Sequence, residues 1–288
     1  MKNIPVRRIK TTDREPDFSK SFSIRSIKDV LGGKGLVQDL HRHDFFLVMV
    51  IEKGKGIHEI DFIVYEVGDY SIFFMRPGQV HQLDLKAGST GYIMQFSTGF
   101  YYPDDRTSAQ LLRKVSHKNY CQLDARRTER LFDLLKYISE EHAKKEEGYQ
   151  EIIKANLRIF FIECIRHRQN GEAGLISKGS NYTQERMEEL LNLLETHIYT
   201  KKQVSDYAAM LNLSPYQLNS ITKTSLGKSC SELINEHIIL ESKRFLLATS
   251  NQVSQIADKL GYDDVSYYIR FFKKHTGYSP EMFRNKLK

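Results

Sequence analysis

The sequence predicts an α+β protein of two domains: an N-terminal β-barrel with an αα-hairpin, then an all-α domain built on a repeated helical pair. Three observations carry this. The chain has 288 residues, more than one ordinary domain uses. Short apolar runs punctuated by turn residues fill roughly its first hundred positions. One apolar pattern then occurs twice near the C-terminus, about 49 residues apart.

Residues 1–20 are polar, carry two prolines and read as an arm. From Phe22 to about Phe100 the texture is β, giving a barrel over 21–105. The runs are Phe45–Ile51, Ile57–Val67, Tyr70–Met75 and Tyr92–Phe96. Gly32-Gly33, Lys53-Gly54-Lys55-Gly56, Gly68-Asp69, Arg76-Pro77-Gly78, Gly88 and Gly91 separate them. Residues 106–170 read as helical. Leu131, Leu134, Leu135 and Ile138 mark one helix, and a second runs from about Gln150 to His167. This hairpin either covers the barrel or forms a dimer surface, because Phe160-Phe161-Ile162 puts apolar side chains on more than one face. Residues 171–182, polar and Gly-rich, read as a linker, and 183–288 as the all-α domain.

Composition sets bounds. The chain is 40% hydrophobic and 27% charged, ordinary for a soluble protein. The net charge of +7 favours a polyanionic partner weakly. Residues 183–288 hold 14 Lys and Arg against 12 Asp and Glu, so charge does not single out that domain. Cys121, Cys164 and Cys230 are odd in number and widely spaced, which fits neither a disulfide framework nor a zinc ribbon. The charged N-terminus lacks a signal-peptide apolar stretch, and no run of 18 apolar residues occurs, so a cytoplasmic protein with no membrane partner is expected.

In the repeat, Val204, Ala208, Leu211 and Leu213 lead into Ser214-Pro215, with Leu218 and Ile221 following. Val253, Ala257, Leu260 and Tyr262 lead into Asp263-Asp264, with Tyr268 and Phe271 following. Asn212 and Gly261 suit a left-handed residue ending the first helix of each pair. Ser214 and Asp263 or Asp264 suit the N-cap of the second, with Pro215 at its first helical position. This is helix-turn-helix grammar. A joining helix over Ser231–Thr249 would hold two reading helices so that they enter successive major-groove segments, roughly 34 Å apart.

The carrying residues are Val204, Ala208, Leu211 and Leu213-Ser214-Pro215, then Leu226-Gly227-Lys228-Ser229, Ile256-Ala257, Leu260-Gly261-Tyr262 and the stretch Tyr268–Arg284. On these, residues 183–288 resemble the DNA-binding domain of the AraC/XylS family of bacterial regulators. The resemblance implies a DNA-binding transcription regulator and no enzyme. It implies base contacts from Tyr216, Asn219, Ser220, Ser266, Tyr267 and Arg270, and phosphate contacts from Ser214, Lys223, Lys273 and Lys274. It places Tyr268 in the core and Tyr267 outside. Thr222 stands where the family usually has phenylalanine, whereas Phe272 is kept. Double-stranded DNA, RNA polymerase and a second copy of the chain are the implied macromolecular partners.

The N-terminal half resembles, more loosely, the cupin-type sensory domain of many family members, through His41-Arg42-His43, Gly68-Asp69-Tyr70 and Pro77-Gly78-Gln79-Val80-His81. Cupin enzymes bind metal with three histidines and a glutamate. Here His41, His43 and His81 fill three slots, but Leu47 and Val48 stand where the glutamate is expected. Three imidazoles could hold a divalent ion, or they could simply line a pocket or turn. No metal or other cofactor is assigned. His43, Arg76, His81 and Gln95 are the candidate effector pocket. The alternatives are a barrel filled by its own side chains, hence an effector-independent or partner-controlled regulator, and a cupin enzyme with a DNA-binding appendage. No nucleophile triad, P-loop or dinucleotide fingerprint supports the last.

Overall fold

Alternating apolar residues in the first half pair into two five-stranded sheets. The computed structural model describes residues 6–7, 21–101, 105–123, 125–172 and 181–286. These fall into two compact units, one within 5–174 and one within 175–288. Apart from residues 6–7, the expected arm lies outside the described residues. So does most of the expected linker.

In the first unit the strands are β1 (Val6–Arg7), β2 (Phe22–Ser26), β3 (Leu36–His43), β4 (Phe46–Lys53), β5 (Gly56–Ile60), β6 (Ile63–Val67), β7 (Ser71–Met75), β8 (Val80–Leu85), β9 (Thr90–Phe96) and β10 (Tyr120–Gln122). One sheet has the order β1-β3-β8-β5-β6, the other β10-β7-β4-β9-β2. All pairings are antiparallel except β1 with β3. The inward face of the second sheet contributes Leu47, Met49, Ile51, Phe73, Met75 and Ile93. These meet Ile60, Leu83 and Leu85 of the first sheet in one apolar cluster.

The other face of the second sheet presents Val48, Val50, Ile72, Phe74, Met94 and Phe96. The helices cover it. They are α2 (Arg106–Ser116), α3 (Ala125–Lys144) and α4 (Tyr149–Glu172). Phe160 and Phe161 are both buried in that layer, Phe161 within 5.2 Å of Tyr101 ring to ring. The adjacent phenylalanines are thus absorbed by the barrel itself.

Three elements depart from the sequence reading. A short helix α1 (Ile27–Leu31) interrupts the β region and buries Ile27 and Leu31. Helix α2 opens the helical region, capped by Asp105, which accepts the N–H groups of Thr107 and Ser108. Between α2 and α3, β10 returns to pair with β7. Barrel and hairpin are therefore one body with a shared core.

The second unit is α5 (Asn181–His197), α6 (Val204–Met210), α7 (Pro215–Leu226), α8 (Cys230–Ala248), α9 (Val253–Lys259), α10 (Val265–Thr276) and α11 (Pro280–Lys286). Helix α8 is the expected joining helix, opened by a Ser229–Glu232 capping box. Its N-terminal half, with Leu233, Ile234 and Ile238, packs with Leu190, Leu194, Tyr207 and Leu218. Near its other end, buried Arg284 of α11 donates to the carbonyls of Leu246 and Asn251. Among the described residues, no helix is long and apolar enough to cross a membrane.

Candidate nucleic-acid interface and the barrel histidines

The two helical pairs turn in the same way. In the first, Asn212 takes φ 54°, and the N–H of Leu213 donates to the carbonyl of Ala208 at 2.8 Å. In the second, Gly261 takes φ 67°, and the N–H of Tyr262 donates to Ala257 at 2.9 Å. These bonds satisfy carbonyls that a helix end would otherwise leave open. Ser214 caps α7 by accepting from Gln217, whose side chain accepts in return from the Ser214 N–H. Asp264, the second of the two candidate caps, accepts from the Ser266 N–H at 2.7 Å.

Each second helix has a buried and an open face. In α7, Leu218, Ile221 and Thr222 face inward; in α10, Tyr268 and Phe272 do. Thr222 fills its place by donating its hydroxyl to the Asn219 carbonyl at 3.1 Å. Phe272 instead meets the Phe283 ring at 5.5 Å. On the open faces, Tyr216 is 84% exposed and Tyr267 54%. Ser214, Ser220, Lys223, Ser266, Arg270, Lys273 and Lys274 are exposed as well. Arg270 lies 3.9 Å from the Asp264 carboxylate, an ion pair between two exposed groups that solvent screens.

Asn219 behaves differently. Its Oδ1 accepts from the N–H of Cys230 at 2.9 Å, and its Nδ2 donates to the Pro215 carbonyl at 3.0 Å. Both ends of the amide are engaged, and the first bond ties α7 to the start of α8.

Inside the barrel, the register sets His41 of β3 directly opposite His81 of β8. His43 lies two residues along β3 and so shares its face. On the other side of β8, Ile60 pairs with His81 and His58 with Leu83, which brings a fourth histidine to the same inward face. All four are buried. His81 Nε2 is 3.2 Å from His43 Nε2, and His81 Nδ1 is 2.9 Å from His58 Nε2. His41 Nδ1 donates to the Asp39 carbonyl at 2.8 Å. Burial lowers all four pKa values: His41 to about 4, His43 and His58 to about 3, and His81 well below the ordinary range. The neighbouring rings add to the shift in His43, His58 and His81, and the Arg7 guanidinium on β1 in His41, His43 and His81. All four rings are neutral near pH 7.

The family described as helix-turn-helix domain matches residues 207–286, and the AraC-like ligand binding domain matches residues 35–158. Together they span both units. The chain belongs to the AraC family of transcriptional regulators. It is similar to the uncharacterized HTH-type transcriptional regulator YfiF of Bacillus subtilis, at 22% identity over 85% of this chain and 78% of the relative. It is also similar to the HTH-type transcriptional activator RhaS of Klebsiella pneumoniae, at 22% identity over 85% and 86%. Among solved structures, ToxT from Vibrio cholerae aligns with a TM-score of 0.44 at 16% identity, over 93% of this chain and 99% of that one.

This AraC-family chain is therefore a DNA-binding regulator with an N-terminal ligand-binding domain, not an enzyme. Of the four residues expected to line an effector pocket, His43 and His81 come together. Gln95 lies on β9 in the other sheet, where its carbonyl oxygen accepts from the Ser23 hydroxyl at 3.4 Å. Arg76 follows β7, half-buried, its N–H donating to the Gln79 side chain. His58 is the residue the sequence reading missed. The signal for it is its alternation with Ile60 on the inward face of β5.

Proposed function

We propose that this regulator is an activator that reads two segments of its operator with α7 and α10 and answers to a small molecule taken up by the barrel. One observation carries the reading: two matching turns leave the outward faces of both second helices open, while their inward faces are buried. On these faces Tyr216, Ser220, Ser266, Tyr267 and Arg270 contact bases, and Arg270 forks guanine. Ser214, Lys223, Lys273 and Lys274 contact phosphates and set register. Asn219, expected among the base readers, holds α7 against α8 through its Oδ1, which accepts from the Cys230 N–H.

Activation agrees with the similarity to the transcriptional activator RhaS. The regulator works in the cytoplasm as a homodimer that recruits RNA polymerase. Tyr137 and Ile159, exposed on α3 and α4, are available to a second copy. Effector uptake shifts the balance between states that place the reading helices differently on DNA. Genome-wide mapping of bound sites, followed by a gel-shift series on a recovered operator, tests the DNA reading. Loss of affinity and local specificity in Arg270→Ala is expected, and wild-type binding by that variant refutes the assignment. Thermal shifts on screening sugars and small acids test the effector. The apolar packing between the sheets favours a second reading, a regulator set by its own abundance, and a blank screen selects it.

A further inference from the structure

We propose that the barrel binds one divalent transition-metal ion of the zinc class through His41, His43 and His81, with His58 supporting His81 from behind. The backbone register puts His41 and His81 opposite each other and His43 on the same face. One ring nitrogen of each lies within 4.8 Å of the other two. The Nε2 atoms of His43 and His81 are 3.2 Å apart. Two imidazole nitrogens on one edge of a tetrahedral zinc site stand about 3.4 Å apart, given Zn–N bonds of about 2.0–2.1 Å. The pair is thus spaced to share an ion.

His41 supplies the independent observation. Its Nδ1 faces the Asp39 carbonyl, which can only accept, so Nδ1 carries the proton and Nε2 carries a lone pair. That Nε2 is buried and has no hydrogen-bond partner. A buried acceptor left unmade is costly, and nothing in the barrel's own packing accounts for this one. Coordination satisfies it. The Asp39 bond is also the usual support of a ligating histidine, since it fixes the tautomer and aims the free nitrogen.

His58 gives His81 the same support. When His81 coordinates through Nε2, its Nδ1 carries the proton and donates to His58 Nε2, 2.9 Å away. An imidazole here takes the place a carboxylate commonly holds. With three neutral ligands the ion keeps its full charge and an open position, which water or a small anion completes. Imidazole-only coordination suits zinc, copper and nickel and disfavours magnesium and calcium. This inference is independent of whether an organic effector also enters the barrel.

The test uses the full-length protein without a histidine tag, stripped with chelator and titrated with Zn²⁺ by calorimetry and with Co²⁺ by visible absorption. One equivalent per chain is expected, with the intense bands of low-coordinate cobalt and a raised Tm. His41→Ala and His81→Ala lose stoichiometric binding. His58→Ala keeps it at 10–100-fold weaker affinity, as loss of an outer-shell partner predicts (roughly this range). X-ray absorption of the wild-type zinc form reads the donor set without any variant: about three imidazole nitrogens are expected. Sub-stoichiometric uptake by folded protein, a sulfur-rich or all-oxygen shell, or unchanged binding in a folded His81→Ala overturns the site. Operator binding, measured on the same samples, separates that failure from failure of the DNA reading.

Discussion

Arg270 is the side chain on which a single atom group should read a single base. Its contact with Asp264 is long and exposed, so the guanidinium is free to turn toward a groove edge. Arg270→Ala is expected to cost about 1–3 kcal/mol of binding and to relax preference at one base pair; a competition gel-shift against single-base operator variants measures both. Asn219→Ala belongs to a different class. It removes the bond to the Cys230 N–H, so it should lower unfolding stability by about 1 kcal/mol and leave base preference unchanged. A changed base preference with unmoved Tm would contradict that. The aligned repeat and its family resemblance separated buried Tyr268 from exposed Tyr267. They could not reveal the duty of Asn219, whose partner lies eleven residues away across a turn. Nor could local pattern place His58, because its face follows from strand pairing with β8.

At the level of elements, the turns were legible because they are written in residue chemistry: Asn212 and Gly261 at positive φ, Ser214 and Asp264 as caps. Short pieces were not. α1 has five residues and β10 three, fewer than a periodic pattern needs to declare itself. Two left-handed glycines of this unit, Gly261 and Gly227, differ in one respect that can be measured. A Cβ on Gly261 would lie 2.1 Å from the Tyr199 carbonyl oxygen, whereas one on Gly227, the left-handed cap of α7, would meet nothing within 4 Å. Lys202 also donates to the Gly261 carbonyl at 2.7 Å, pinning this turn to the chain before α6. Gly227→Ala should therefore cost only the left-handed penalty, about 1–2 kcal/mol, and Gly261→Ala clearly more. Equal Tm losses in the two variants would remove the close approach as an explanation.

Over the whole molecule, total charge gave no hint of which domain meets DNA, and the structure explains why. The cations proposed to meet phosphates, Lys223, Lys273 and Lys274, are few and are set apart only by their place in the last turns of α7 and α10. Lys274→Ala should weaken all operators alike and reduce the salt slope of binding by about one, measurable from affinities at several salt concentrations. The other unit carries the pH response. In the chelator-treated protein, the unfolded chain takes up protons on His41, His43 and His58 from pH 6.5 downward, while the folded barrel resists until about 4 to 3. Their contribution to stability is thus complete above pH 6.5 and is lost as pH falls through that window. Tm should decline from pH 7 to 4.5, less steeply in His58→Phe; a flat profile in the wild type would count against neutral buried rings.

Helix α8, clamped by Asn219 and Ser229 at one end and by Arg284 at the other, has a consequence for descent. Deleting one residue from it would swing everything beyond by about 100° and shorten the span by about 1.5 Å. Substitutions on the exposed faces of α7 and α10 carry no such penalty. On the proposed reading, changes on those faces alter the letters recognised, while α8 holds the interval between the two words fixed.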